Sequence, residues 1–159
     1  MAATTICFIN QKGGCGKSSC CFHLAGCFVQ IGMRVLLIDA DPQGSLSQAF
    51  FGPPYVETLE TFETLSSQFE DHAVLPPSAL VPMPTSWDGL SIVCSNQTLA
   101  AHNRPLPEQS GLLQFALAQY LEDVQGQDMV LVDCPPNLYQ CSWNALLAAD
   151  FVVIPVPPE

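Results

Sequence analysis

Short uninterrupted runs of apolar residues recur along the chain. They occupy residues 4–9, 34–38, 90–94, 129–132 and 151–156. A run without polar alternation is typical of a parallel strand that is covered on both faces, because neither side of such a strand meets water. The pattern therefore predicts five strands of one parallel sheet.

Segments with helical spacing lie between these runs. Ser18 to Ile31 has helical character and is followed by Gly32, a residue type that commonly stands just after a helix end. The apolar residues from 113 to 124 recur at helical spacing, and residues 143–149 form a shorter helical pattern. Because strands and helices alternate, the sequence predicts an α/β fold, a doubly wound and mostly parallel sheet with helices on both faces.

Residues 52–107 depart from this alternation. They hold eight of the fourteen prolines of the chain, and proline disfavours helix interiors and central strands. The composition predicts loops and short edge structure, with one acidic helix near residues 57–70. We interpret the stretch as a proline-rich insert within a single domain that spans residues 1–159, since this length is typical of one domain.

The last apolar run, residues 151–156, stands within a few residues of Glu159, where the sequence ends. A buried strand so close to a terminus is usually followed by further structure. We therefore expect the chain to be the first part of a longer protein, with a sheet that is incomplete at its carboxyl-terminal side.

Composition and charge narrow the classes of function. Apolar residues make up 48% of the chain, which excludes a disordered protein. The chain has 4 lysines and arginines against 15 aspartates and glutamates, so its net charge is −11. Such a surface repels phosphate backbones, which excludes general nucleic-acid binding by this segment. The few cations are therefore informative, and Lys12 and Lys17 lie within six residues of each other.

The 8 cysteines do not form a recognisable metal or disulfide pattern. No two of them make a C-x-x-C pair, and the 3 histidines do not stand at a ligand spacing. The amino terminus lacks the basic region of a secretory signal, and no apolar run reaches a membrane-spanning length. We therefore expect a cytoplasmic protein with reduced thiols and no membrane segment. Cys20, Cys21 and Cys27 are predicted to be small buried residues of the first helix.

The strongest local signal is Lys-Gly-Gly-Cys-Gly-Lys-Ser at residues 12–18, between the first strand and the first helix. That context is what a phosphate-binding loop requires. Glycines let backbone N–H groups wrap a phosphate, and the helix N-terminus adds partial positive charge. Lys17 can reach the β- and γ-phosphates, and Ser18 offers a hydroxyl to Mg²⁺. The predicted nucleotide-binding residues are Gly13, Gly14, Cys15, Gly16, Lys17, Ser18 and Ser19.

Three aspartates follow two of the apolar runs. Asp39 and Asp41 come after residues 34–38, and Asp133 comes after residues 129–132. The carboxyl ends of parallel strands form the edge of the sheet where ligands bind. A carboxylate there can hold Mg²⁺ directly or through water. The sequence therefore predicts that Asp133 contributes to a magnesium site.

These motifs resemble the ParA/MinD family of ATPases. An ordinary Walker A loop has glycine where this chain has Gln11, and the added Lys12 gives the deviant Walker A pattern of that family. Residues 36–44 (LLIDADPQG) and 130–136 (VLVDCPP) are similar to its second motif and to its Walker B motif. Both look more like the ParA branch than like MinD. The resemblance covers nearly the whole chain.

The resemblance implies roles for individual residues and implies ATP and Mg²⁺ as cofactors. Ser18, Asp39 and Asp133 would stand at the metal, with Asp39 as a nearby magnesium or switch residue. Asp41 would position or activate the attacking water. Lys12 would cross a dimer interface to the phosphates of the partner's ATP, so that ATP joins two subunits until hydrolysis releases them. The implied catalytic residues are Lys12, Lys17 and Asp41.

The function implied is an ATP-hydrolysing dimerisation switch that segregates plasmid or chromosomal DNA. Its expected partners are a second copy of the chain, a centromere-binding protein that stimulates hydrolysis, and DNA bound without sequence preference only through a further carboxyl-terminal part. Three alternatives stay open. They are a MinD-like or other protein-positioning ATPase, a metal-cluster carrier of the same fold like relatives of the nitrogenase iron protein, and an incomplete, non-catalytic fragment.

Overall fold

The strands of the chain form one sheet in a computed structural model that describes residues 3–70 and 80–156. These strands are Thr4–Phe8 (β1), Val35–Asp39 (β2), Met83–Pro84 (β3), Leu90–Val93 (β4), Met129–Asp133 (β5) and Phe151–Val153 (β6). Among the described residues, their order across the sheet is β3-β4-β2-β5-β1-β6. Every neighbouring pair is parallel except β3 with β4. The predicted mostly parallel sheet is therefore confirmed.

Helices cover both faces of this sheet. In the described ranges they are Lys17–Gln30 (α1), Ser45–Phe51 (α2), Pro53–Val56 (α3), Ala116–Asp123 (α4) and Gln140–Ala148 (α5). Helices α1 and α2 contribute to the core on one face, and α4 and α5 contribute to the core on the other. The predicted doubly wound fold is confirmed. None of these helices combines the length and the hydropathy that crossing a bilayer requires.

β2 shows why the central strands are apolar throughout. Val35 and Leu37 belong to the core beneath α1 and α2, whereas Leu36 and Ile38 belong to the core beneath α4 and α5. All four side chains are 0% exposed. Burying each one contributes about 1.5–3 kcal/mol. One strand therefore stabilises the packing of both helical layers.

Helix α1 packs against the core through a narrow face. Its buried residues are Lys17, Cys21 and Ala25, spaced four apart as one face of a helix requires. Cys20 and Cys27 lie off that face and are exposed. The predicted burial is therefore confirmed for Cys21 and wrong for the other two cysteines.

The predicted acidic helix near residues 57–70 is wrong. The segment instead contains two short 3-10 helices, Thr61–Glu63 and Leu65–Phe69, with Thr64 between them. Thr64 is extended, with φ −121° and ψ 168°, and it forms a parallel bridge with Cys94 just beyond β4. This pairing with the sheet takes the backbone out of a helical path.

β6 is shorter and more exposed than predicted. It covers Phe151–Val153 rather than residues 151–156, and it lies at the outer edge of the sheet, paired with β1. Phe151 and Val152 are 62% and 48% exposed. The predicted burial is therefore wrong within the described residues, because an edge strand has a neighbouring strand on one side only.

The carboxyl ends of β1, β2 and β5 meet at one edge of the sheet, because β5 pairs in parallel with both of the others. Phe8 and Asp39 each stand opposite Asp133 in the strand register. Neighbouring strands lie about 4.8 Å apart. The loop that follows β1 and the turn that follows β2 therefore begin close together, on either side of Asp133.

Candidate functional site

The loop between β1 and α1 has the backbone conformation that its glycines allow. Gly14 and Gly16 are left-handed, with φ +70° and +90°, a region that residues with a side chain rarely adopt. Ideal Cβ atoms built at Gly13, Gly14 and Gly16 would meet nothing within 4 Å. Gly14 and Gly16 are therefore needed for their conformation, and the space beside the loop is open to a ligand.

The start of α1 presents polar groups to the same space. The helix begins at Lys17 without a side-chain cap, so its first N–H groups are available to an anion. Lys17 is 7% exposed, and its ammonium group makes no ion pair among the described residues. Ser18 is half-buried, Ser19 is exposed and Cys15 is buried. The structure thus places the predicted nucleotide-binding residues around one open loop.

Strand alternation directs two carboxylates toward the start of α1. Asp39 continues the side of β2 that carries Val35 and Leu37, and Asp133 continues the side of β5 that carries Leu131. These apolar residues belong to the core beneath α1. Because Asp39 and Asp133 are also register partners, the fold brings both carboxylates together next to the loop.

Asp133 is the least satisfied polar group of the site. Its side chain is 0% exposed, and neither carboxylate oxygen has a hydrogen-bond partner among the described residues. Burial raises the pKa of Asp133 to about 6, helped by the charge of Asp41 and opposed by the Ser18 hydroxyl and the Lys17 ammonium. Ser18 is thus close enough to lower the pKa, although its hydroxyl makes no well-directed hydrogen bond. A buried carboxylate without partners marks a place for a cation.

Asp39 is equally buried but has partners. Its Oδ2 accepts hydrogen bonds from the Ser47 N–H and the Ser47 hydroxyl, both at 2.8 Å, and its Oδ1 accepts from the Asp41 N–H at 3.2 Å. Burial and the nearby charge of Asp133 raise the pKa of Asp39 to about 8, against these hydrogen bonds. With both oxygens engaged, Asp39 is better suited to holding the following turn than to binding a metal directly.

Asp41 lies on that turn, half-buried at the edge of the site. Its Oδ1 accepts a hydrogen bond from the Gln43 N–H at 2.9 Å, and its second carboxylate oxygen makes no hydrogen bond among the described residues. The effect of Asp41 on the pKa of Asp133 places the two carboxylates within electrostatic reach of each other. Asp41 therefore offers one carboxylate oxygen on the turn that follows β2.

Lys12 differs from Lys17, the other predicted catalytic lysine, in its exposure. It is exposed, and its N–H donates to the Asn10 side-chain oxygen at 2.9 Å, which shapes the start of the loop. Its side chain makes no ion pair among the residues that the structure describes. The Lys12 side chain is therefore open to solvent, unlike the buried Lys17.

Sequence reasoning missed the partner of Asp39. Ser47, on α2, is 0% exposed and links Asp39 to the Ser95 N–H. A serine eight residues after an aspartate has no recognisable spacing, so no sequence signal could identify it. Ser95 follows an apolar run, as Asp39 and Asp133 do, and that position could have indicated a residue at the ligand-binding edge.

The donor set fits Mg²⁺ bound together with phosphates. No cluster of three or more His, Cys, Asp or Glu side chains that could hold a metal lies in the described ranges. Mg²⁺ commonly takes one or two carboxylates and completes its shell with waters and substrate phosphates. Asp133 and the Ser18 hydroxyl are donors of that kind, with the phosphate-binding loop beside them.

A glycine-rich loop between a parallel strand and a helix, with carboxylates ending the neighbouring strands, defines a P-loop NTPase fold. The sequence matches the AAA domain family over residues 3–159. The protein therefore belongs to that family, and within it to the ParA/MinD group that its deviant loop predicts.

Curated relatives agree with this assignment. The sporulation initiation inhibitor protein Soj of Bacillus subtilis is 34% identical over 97% of this chain. The chromosome partitioning protein ParA of Myxococcus xanthus is 33% identical, also over 97% of this chain. The chain spans 58% of the first relative and 52% of the second. It therefore corresponds to just over half the length of the relatives it matches.

Solved structures share the fold. The cobyrinic acid a,c-diamide synthase of Mycobacterium smegmatis, with bound ADP and magnesium, has a TM-score of 0.80 at 28% identity, covering 97% of this chain and 60% of that one. The putative plasmid partition protein of Borrelia burgdorferi, bound to AMPPNP, has a TM-score of 0.79 at 25% identity, covering 98% and 63%. Both neighbours hold adenine nucleotides.

Proposed function

We propose that the protein binds Mg²⁺ and ATP and hydrolyses ATP as a dimerisation switch of the ParA type, segregating plasmid or chromosomal DNA. The observation that carries the proposal is the buried Asp133 carboxylate, which lacks a hydrogen-bond partner among the described residues and stands near Lys17 and Ser18. An unpaired buried carboxylate is costly unless a cation joins it. The adjacent glycine loop offers N–H groups to the phosphates that accompany such a cation.

In this proposal the binding groups divide by charge. The N–H groups of residues 13–19 and the Lys17 ammonium hold the phosphates. The Ser18 hydroxyl and Asp133 hold Mg²⁺, which when bound neutralises phosphate charge. Asp39 was predicted to be either a magnesium residue or a switch residue. We assign it the switch role, because its hydrogen bonds fix the turn that follows β2.

Asp41 and Lys12 serve hydrolysis and dimerisation. Asp41 positions or activates the attacking water with the carboxylate oxygen that its hydrogen bond to the Gln43 N–H leaves over. Lys12, which is exposed, reaches the phosphates of the ATP bound by a second copy of the chain. A cation there stabilises the charge that develops on the transferred phosphoryl group. Loss of the γ-phosphate removes contacts that join the two subunits, so they separate.

Net charge and the relatives support our assignment of DNA as the cargo and of a centromere-binding protein as the partner. This chain carries a net charge of −11, so we assign DNA contact to the part of the relatives' length that it does not span. The relative from Myxococcus xanthus is named for chromosome partitioning, which supports DNA as the cargo. A centromere-binding protein in the cytoplasm would stimulate hydrolysis.

Calorimetric titration with ATP, in magnesium and in EDTA, tests binding, and release of inorganic phosphate tests turnover. Wild-type protein should bind ATP in magnesium and hydrolyse it. Lys17→Ala should lose binding, because the phosphate charge is left unpaired. Arg34→Ala is the matched control, since it removes a cation just before β2, at the amino-terminal end of the strand and away from the phosphate loop. Asp41→Ala should keep ATP binding and lose turnover.

Each part of the proposal has its own contrary result. Equal ATP affinity in Lys17→Ala and wild type would contradict the phosphate site. Normal turnover by Asp41→Ala would contradict its role in hydrolysis. Wild-type protein that binds no ATP would favour the non-catalytic alternative.

A further inference from the structure

Ser95, which follows β4, forms hydrogen bonds to the turn after β2. The Ser95 hydroxyl donates a hydrogen bond to the Asp41 carbonyl oxygen at 2.7 Å. The Ser95 N–H donates to the Ser47 hydroxyl at 2.9 Å, and that hydroxyl donates to the Asp39 carboxylate at 2.8 Å. Ser95 therefore contacts the segment 39–47 directly at Asp41 and Ser47, and it is linked to Asp39 through the Ser47 hydroxyl.

The turn also packs directly on the Ser95 backbone. An ideal Cβ at Gly44 would lie 2.6 Å from the Ser95 carbonyl oxygen, so no side chain fits between them. The Gly44 N–H donates to the Asp41 carbonyl oxygen at 2.9 Å. That carbonyl thus accepts from Gly44 inside the turn and from Ser95 outside it, which uses both of its lone pairs.

The two serines that hold the turn are buried, whereas the Asp41 carboxylate is only half-buried. Ser95 and Ser47 are both 0% exposed, and a hydrogen bond shielded from water has no solvent replacement when it is lost. Asp41 is half-buried and leaves one carboxylate oxygen without a partner in the described part of the chain. Its backbone is therefore fixed, while its side chain remains open to the site.

We propose that Ser95 is a positioning residue for ATP hydrolysis, whose hydroxyl holds Asp41 in the orientation that the attacking water requires. The inference rests on the proposed function. Ser95 acts through the Asp41 backbone and belongs to β4's end rather than to the phosphate loop. Removing its hydroxyl leaves Lys17 and the loop glycines in place, so ATP binding should persist while the reaction step slows.

The test compares three variants by steady-state ATP hydrolysis and by amide hydrogen exchange. Ser95→Ala removes the hydroxyl, and Ser95→Thr restores one. Ser91→Ala is the matched control, because Ser91 lies on β4 and its side chain makes no hydrogen bond among the described residues. We expect Ser95→Ala to lower kcat about tenfold with KM for ATP unchanged, the effect of one lost buried hydrogen bond. The Asp41, Gln43 and Gly44 amides should exchange faster in that variant alone.

Hydrogen exchange needs no ATP, so it separates two kinds of failure. Unchanged exchange in Ser95→Ala would overturn the inference whatever the activity. Faster exchange with normal kcat would show that the Ser95 hydrogen bonds do not position Asp41, and would overturn it as well. Recovery of both readouts in Ser95→Thr would support it. Wild-type protein that keeps the turn protected but hydrolyses no ATP would overturn the proposed function, and with it the role of Ser95 in catalysis.

Discussion

Replacing Gly44 by alanine places a methyl group against the end of β4. Two costs arise from the structure. Gly44 has φ +63°, and a left-handed residue with a side chain costs about 1–2 kcal/mol. The new Cβ would also lie 2.6 Å from the Ser95 carbonyl oxygen. Forcing such overpacking on a packed interior costs about 1–3 kcal/mol. We expect Gly44→Ala to lower the free energy of unfolding by roughly 2–5 kcal/mol in total.

Gly32→Ala is the matched control for this variant. Gly32 also has a left-handed backbone, with φ +84°, but an alanine Cβ there would meet nothing within 4 Å. It should therefore show the conformational cost alone, about 1–2 kcal/mol. Both substitutions restrict the unfolded chain in the same way, so that effect cancels in the comparison.

Urea denaturation followed by far-UV circular dichroism measures both losses. The difference between the two variants reports the contact between Gly44 and Ser95. If Gly44→Ala were no less stable than Gly32→Ala, the two backbones would not be in contact, and the turn would not be packed on β4 as described.

Two further predictions concern charge. Lys12→Ala should abolish ATP-dependent dimerisation while ATP still binds the monomer; an ATP-induced dimer of this variant in sedimentation velocity would contradict the shared-phosphate role. Without Mg²⁺, stability should fall as pH rises from about 4 to about 8, because burial raises the pKa of Asp133 to about 6 and of Asp39 to about 8, above the unfolded value of 3.8. The stabilisation is full below the unfolded pKa and is lost through the folded pKa. Urea midpoints that rise over this range would refute the burial of the two carboxylates.

Much of the fold follows from local patterns. The run at residues 34–38 has no polar position because the sheet is covered on both faces, and the structure places alternate side chains of β2 in two different cores. The glycines at residues 13–16 predicted a loop between the first strand and the first helix whose backbone can wrap a phosphate, and the structure has such a loop, with Gly14 and Gly16 left-handed. These features depend on neighbours in sequence, so the sequence alone predicted them.

The remaining features depend on contacts between distant segments. Thr64 is extended because it pairs with Cys94, thirty positions along the chain, and no local helical pattern could reveal that. Ser47 and Ser95 meet only because β2 and β4 are neighbours in the sheet. Burial of residues 151–156 was predicted from hydropathy, but whether an apolar strand is covered depends on what packs beside it.

The backbone edge of β6 that faces away from β1 affects how self-association of the protein should be measured. That edge faces no other strand among the described residues, and the segment 151–156 contains no charged residue. An uncharged, apolar strand edge can template pairing with another chain. Such pairing would increase with protein concentration and would not depend on nucleotide. A phosphate-bridged dimer would instead form only when ATP is bound. A dilution series without nucleotide is therefore the baseline from which any ATP-driven dimer has to be distinguished.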